Sequence, residues 1–305
     1  MGNIKSTAKT QETGLIQGSV ISVTLFFIAV NDLLDKTGDN VQKGTYADDL
    51  TLLMTEKNIK EMTLTMQFEI EKATKIAQKI GCESSPETTI AMRFSQSRKK
   101  QETPALKCGN KKIKFENDHR ILGMIFDSRL TWAKHISDIK QRANKKINTL
   151  KMLSNQKHGL NYDQLLTLHE SIILTTLDYG AEIYDGASKT QLKKLDPVHT
   201  TGLRIALGAF KTSPTDNILV EAGFLPLQLR RKIRTAYYAI NILQNKRHPQ
   251  NEKLKINFTK TLHNEKNIFH GQSETNSTRI RNRTPTHNTT NKFTVSTMDR
   301  QNTQH

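Results

Sequence analysis

The chain has 305 residues, of which 46 are Lys or Arg and 29 are Asp or Glu, for a formal net charge of +17. That length suits one large or two modest domains, and the positive excess favours a polyanion partner, nucleic acid first, with an acidic membrane surface or mere solubility as the blander readings. The two cysteines, Cys82 and Cys108, form neither a close pair nor a metal spacing, which excludes a disulfide scaffold and reads as reduced thiols in an intracellular protein of nucleus or cytoplasm. The longest apolar run, residues 20–30, is too short to cross a bilayer, so no membrane partner is expected.

In chain order, residues 20–34 read as a buried helix, because the run is long and its flanks are polar. A turn over 35–40 follows. Residues 41–46 and 50–54 then read as two short strands joined by a tight turn at Ala47-Asp48-Asp49, a hairpin with carboxylates at its tip. Ile59, Met62, Met66, Ile70, Ala73, Ala77 and Ile80 recur at spacings of three and four and predict an amphipathic helix, with Gly81 as its stop. A strand over 90–94, a hairpin over 107–115 turning at Cys108-Gly109-Asn110, and a strand over 120–126 complete the first zone.

Helices dominate the second zone. Thr131 is placed to cap a helix whose buried stripe is Ile136, Ile139, Ala143, Ile147, Leu150 and Leu153, with Lys134, Lys140, Arg142, Lys145, Lys146 and Lys151 on its other faces. Leu165, Leu168, Ile172 and Thr176 outline a second helix. Ser188 caps a third, which Pro197 should interrupt or restart, since an internal proline costs about 3 kcal/mol. A fourth, over 226–243, carries Arg230, Arg231, Lys232 and Arg234. Residues 250–305 hold too few large apolar groups to offset their ordering entropy and read as a disordered basic polar tail.

Adjacent acids at a hairpin tip suit a divalent cation, because magnesium takes hard oxygen ligands and keeps water and substrate phosphates for the rest of its shell. The surrounding motifs give this a family. Gly14-Leu15-Ile16-Gln17-Gly18-Ser19-Val20-Ile21-Ser22 resembles the substrate-gripping motif of reverse transcriptases, and Tyr46-Ala47-Asp48-Asp49 resembles their catalytic hairpin. Asn31-Asp32-Leu33 is similar to the linking helix of non-LTR retrotransposon polymerases. Ile121-Leu122-Gly123, Asp127 and Leu130-Thr131-Trp132 resemble the strand that grips the primer and leads into the thumb. Leu177-Asp178-Tyr179-Gly180, Leu195-Asp196-Pro197-Val198 and Gly202-Leu203-Arg204 resemble the helical region that follows the polymerase in jockey-like insect elements.

The resemblance implies an α+β fold: a partial reverse-transcriptase palm over 1–130, an antiparallel sheet carrying helices, then a helical thumb and connection region over 131–249 and the tail over 250–305. It implies RNA-directed DNA synthesis, with Asp48 and Asp49 as catalytic residues holding Mg2+ at the primer terminus. Gln17, Gly18, Ser19 and Tyr46 would then bind template base and incoming dNTP, and Lys134, Lys140, Arg142, Lys145 and Lys146 would follow the backbone of the RNA template and DNA primer. The palm of these enzymes uses a third carboxylate on a strand upstream of Gln-Gly-Ser, for which the chain leaves no room, and the fingers are missing. The chain is therefore expected to be a 5′-truncated fragment, inactive unless an upstream polymerase segment joins it. The alternative is a non-catalytic nucleic-acid-binding remnant or a decayed mobile-element relic.

Overall fold

In a computed structural model the chain is described over residues 14–16, 18–35, 41–95, 104–155 and 158–255, and along the backbone of 291–297. It divides into two compact units, Met1–Leu130 with His287–His305, and Thr131–Thr286. Among the described residues no helix is long and apolar enough to cross a membrane.

The first unit is mixed α and β. It opens with α1 (Val20–Asp35), then β1 (Val41–Tyr46), β2 (Asp49–Glu56) and α2 (Ile59–Lys79). Asn58 caps α2 by accepting the Lys60 amide at 3.0 Å, and the left-handed Gly81 lies just beyond its end. The expected stripe of α2 is buried at Met62, Met66, Ile70, Ala73 and Ala77, and β2 alternates so that Leu50, Leu52 and Met54 join the same core. The core also takes Ala91 from β3 (Ile90–Phe94) and Cys108 from β4 (Lys107–Cys108), which pairs with β5 (Lys111–Lys112) across the expected turn.

Three features differ from the sequence reading. First, α1 is a helix, but its outer face is open: Val20 is 90 % and Ile28 65 % exposed, while Val30 and Phe26 pack inward. An apolar composition predicts a helix that seeks cover, not what covers it. Second, residues 120–126 are not one strand. They belong to a hairpin of β7 (Asp118–Ile121) and β8 (Met124–Asp127), turned by Leu122 and Gly123 with φ 46° and 81°. Positive φ at both central positions is the requirement of a type I′ two-residue hairpin turn. Third, the sheet is not wholly antiparallel. Its order is β1-β2-β9-β3-β6, where β9 is Asn291–Thr297 and β6 (Lys114–Glu116) runs parallel to β3.

The strand β9 is Asn291–Thr297, drawn from the region read as a disordered tail. It lies antiparallel to both β2 and β3, with Leu52 opposite Val295 and Ala91 opposite the same residue. Residues 256–290 and 298–305 lie outside the described residues, and residues 251–255 are helical.

The second unit is helical. In α3 (Ala133–Leu153) Ile136, Ile139, Ala143, Ile147 and Leu150 are buried as expected, and His135 joins them. The N-cap position is Trp132, buried and left-handed with φ 62°, while Thr131 Oγ1 accepts the Ala133 amide at 3.4 Å. The second expected helix is three pieces in one run: α4 (Tyr162–Leu168), a π-helical segment His169–Leu174, and α5 (Thr175–Asp178). Two short helices follow, α6 (Ala181–Tyr184) and α7 (Lys189–Leu192), the latter capped by Ser188 through the Gln191 amide. Pro197 restarts the chain as the first turn of α8 (Asp196–Ala206), where a missing amide costs nothing. Then come α9 (Thr215–Glu221) and α10 (Leu227–Gln244).

The arginines of α10 are tied inward. Arg230 Nη2 donates to Asp178 at 2.7 Å, Arg231 Nε to Asp185 at 3.1 Å and Arg234 Nε to Glu182 at 3.1 Å. Asp178 is only 6 % exposed. Its hydrogen bonds hold the Arg230 guanidinium above its ordinary pKa. Tyr184 is fully buried and donates its hydroxyl to the Leu177 carbonyl, and burial pushes its phenol up.

Candidate functional site

The carboxylate turn is set by register. Tyr46 pairs with Asp49, which leaves Ala47 and Asp48 as the two turn residues between β1 and β2. Ala47 holds φ 52°, the left-handed value that hairpin turns of this length demand at their first position. Asp49 opens β2 and Asp48 stands at the tip, both half-buried. Leu50 beside them is buried, so the acids mark the point where an apolar strand reaches the surface.

A second turn lies across from the first. Gly18 takes φ 87°, and the Ser22 amide donates to the Ser19 carbonyl at 3.2 Å as the chain winds into α1. The two turns line one cavity of about 400 Å³, with Gly18, Ser19 and Ser22 on one side and Ala47 and Asp48 on the other. Leu15, Val23 and Phe26 supply its apolar wall. A side chain at Gly18 would meet open space, so it is backbone conformation that asks for glycine there.

The structure thus brings Gly18, Ser19 and Asp48 together. Tyr46 is 66 % exposed and not among the cavity's lining residues. Gln17 lies outside the described residues. Among the described residues no group of three or more His, Cys, Asp or Glu gathers as a cation site. Of the two acids, Asp48 is among the cavity's lining residues and Asp49 is not; magnesium is often held by one or two carboxylates together with substrate phosphates.

The basic residues of α3 separate by surroundings. Lys146 Nζ donates to the Ile172 carbonyl at 3.1 Å and to Thr176 Oγ1 at 2.6 Å, and Arg142 pairs with Asp138 at 2.9 Å. Those two serve the helical unit's own packing. Lys134 is exposed near the helix start. Lys140 and Lys145 line an open groove of about 660 Å³ with Gln141, Asn144, Asn148 and Lys151. The amide side chains of that groove were not singled out from the sequence. Their signal was readable: Gln141, Asn144 and Asn148 recur at spacings of three and four, away from the buried stripe.

No family model matches the chain, and no solved structure matches it. Curated proteins do. It is 26 % identical over 215 residues to the RNA-directed DNA polymerase from mobile element jockey of Drosophila melanogaster, covering 67 % of this chain and 23 % of that protein. It is 23 % identical over 208 residues to the probable RNA-directed DNA polymerase from transposon X-element of the same fly, covering 67 % and 22 %. With a retrovirus-related Pol polyprotein from type-1 retrotransposable element R1 2 of Nasonia vitripennis it shares 22 % over 234 residues, 74 % of this chain and 57 % of that one. The chain spans less than a quarter of the length of the jockey and X-element proteins. Over two-thirds of its length it is similar to the RNA-directed DNA polymerases of jockey and related non-LTR retrotransposons.

Proposed function

We propose that this chain is a segment of a non-LTR retrotransposon RNA-directed DNA polymerase, carrying part of its palm, its carboxylate hairpin and the helical region that follows. One observation carries the reading: the Gly18-Ser19 turn and the Asp48 turn, thirty residues apart in sequence, line one cavity. A glycine-bearing turn lets backbone approach a nucleotide, and a carboxylate opposite it can hold the nucleotide's metal. Asp48 and Asp49 would hold Mg2+, Gly18 and Ser19 with Gln17 would bound the dNTP, and Tyr46 would flank the primer end. Bound there, the ion would supply activation of a primer 3′-hydroxyl and charge neutralisation on the leaving pyrophosphate.

The nucleic-acid face assigned here is the groove of α3. Lysines neutralise phosphate, and Asn and Gln side chains bond to phosphate and sugar oxygens. Lys134, Lys140 and Lys145 serve that contact, while Arg142 and Lys146 brace the helix that presents them. A cavity lined by one of the two acids suits binding better than turnover, because a reacting centre displaced by about 1 Å can lose a hundredfold in rate. The isolated chain therefore binds an RNA–DNA hybrid and extends a primer only when a further polymerase segment completes the site.

Fluorescence anisotropy of the full chain with a labelled RNA–DNA hybrid over a salt series tests this. Affinity should fall linearly on a double-logarithmic plot, and Lys140→Gln with Lys145→Gln should lower the slope by about 2, one per lost phosphate contact. Affinity that ignores salt, or a slope that the two changes leave alone, would count against the assignment.

A further inference from the structure

The helical unit buries two histidine rings against each other. His169 opens the π-helical segment and His199 lies on α8. Both are at most 1 % exposed, and His169 Nε2 stands 3.0 Å from His199 Nδ1. At that distance one ring donates its N–H and the other accepts, so one proton lies between the neutral rings and the acceptor ring carries its own N–H on its outer nitrogen. The outer nitrogen of His169, Nδ1, has no hydrogen-bond partner, while the Leu225 carbonyl acts on His199.

The pocket around the pair is built to fit neutral rings. A Cβ at position 202 would stand 2.4 Å from His169 Nδ1, so Gly202 of α8 leaves the room that the ring fills. Phe224 stands edge-on to both, with ring centroids 5.8 Å and 6.1 Å away. The charged groups acting on the rings are Arg230 of α10 and Asp178 of α5, already bound to each other, and Glu170 beside His169 acts on Arg230. The Arg230–Asp178 ion pair is thus committed; a first added proton leaves the bridge between the rings in place, and protonating both rings sets two cations against each other with no acceptor between them.

We propose that His169 and His199 form an acid-released latch: they tie the π-helical segment to α8 while at least one ring is neutral, and protonation of both rings parts them. Burial, then His199 and Arg230, push His169 down to about 3. Burial and Arg230 push His199 down to about 4, against a smaller opposite pull from the Leu225 carbonyl and Asp178. Both values lie below the ordinary 6.5 of the unfolded chain. The unfolded chain therefore binds protons first as pH falls. The latch contributes fully above about pH 6.5 and is lost as pH falls through about 4 and then about 3.

Urea unfolding of the full chain, followed by far-UV circular dichroism, reads this directly. Between about pH 6.5 and about pH 4.5 the unfolding constant should rise about tenfold per pH unit for each buried ring. His199→Gln keeps a donor and an acceptor facing His169 but removes one titrating ring. It should lower that rise about tenfold per unit relative to the parent, with the ion pairs common to both cancelling. An unchanged slope would overturn the latch. A second readout needs no variant: the ring 15N resonances of His169 and His199 in the folded chain. Neither should titrate above about pH 5, and a midpoint near the ordinary histidine value for either ring would refute the proposal.

Discussion

Ala47 is the residue on which the candidate site turns. An alanine at φ 52° is strained, because its Cβ crowds the following carbonyl in the left-handed region. The strain persists because the Tyr46–Asp49 pair and the buried Leu50 fix the chain on the strand side of the turn. Ala47→Gly should therefore raise stability by about 0.5–1 kcal/mol, the relief of strain less the extra freedom glycine gains when unfolded. A shift of the urea midpoint to higher concentration checks it, and a shift to lower concentration would mean that the turn is unstrained. A second residue-scale prediction concerns Asp178, which is 6 % exposed and depends on Arg230. Arg230→Ala strands a buried carboxylate, with Arg234 3.6 Å away as its remaining cation. We expect a loss of about 3 kcal/mol in the same assay. A loss under about 1 kcal/mol would place that pair with ordinary surface bridges.

At the scale of elements, the helices with clean stripes were legible. Met62, Met66, Ile70, Ala73 and Ala77 in α2, and Ile136 through Leu150 in α3, point inward at the spacing that names them. The carboxylate hairpin was legible too, because two short strands leave it little choice of turn. The π-helical segment was not: a wider turn over His169–Leu174 shifts the apolar positions off the period of 3.6 that pattern reading assumes. The Leu122-Gly123 turn was missed because Leu122 is not a residue that announces φ 46°. Nothing local in Asn291–Thr297 reveals β9, since its ladder partners are in residues 50–56 and 90–94. Removing residues 287–305 leaves β2 without its second neighbour and β3 with only β6. Open apolar edges invite pairing with other chains. Light scattering after size exclusion should then show higher oligomers where the full chain shows fewer. An unaltered elution profile would mean that the sheet does not need its far strand.

For the whole molecule, the positive excess and the order of motifs carried most of the functional reading. Charge alone points to nucleic acid but does not say which lysines serve it; that depends on which are spent inside the fold, as Lys146 is. The motif order points to polymerases, and similarity to jockey and X-element proteins over two-thirds of the chain agrees with it. Neither told that Gly18, Ser19 and Asp48 share a cavity, because a meeting of two turns is a property of packing and not of either segment. The central claim is that this cavity takes a metal-bound nucleotide. The measurement that bears on it most directly is Mn2+ binding to the full chain, read by electron paramagnetic resonance with a hybrid primer–template and dNTP present. The account predicts that the parent chain depletes the free-ion signal and that Asp48→Asn with Asp49→Asn abolishes the depletion while leaving hybrid affinity in place. Equal Mn2+ binding by the parent and the doubly substituted chain would contradict it.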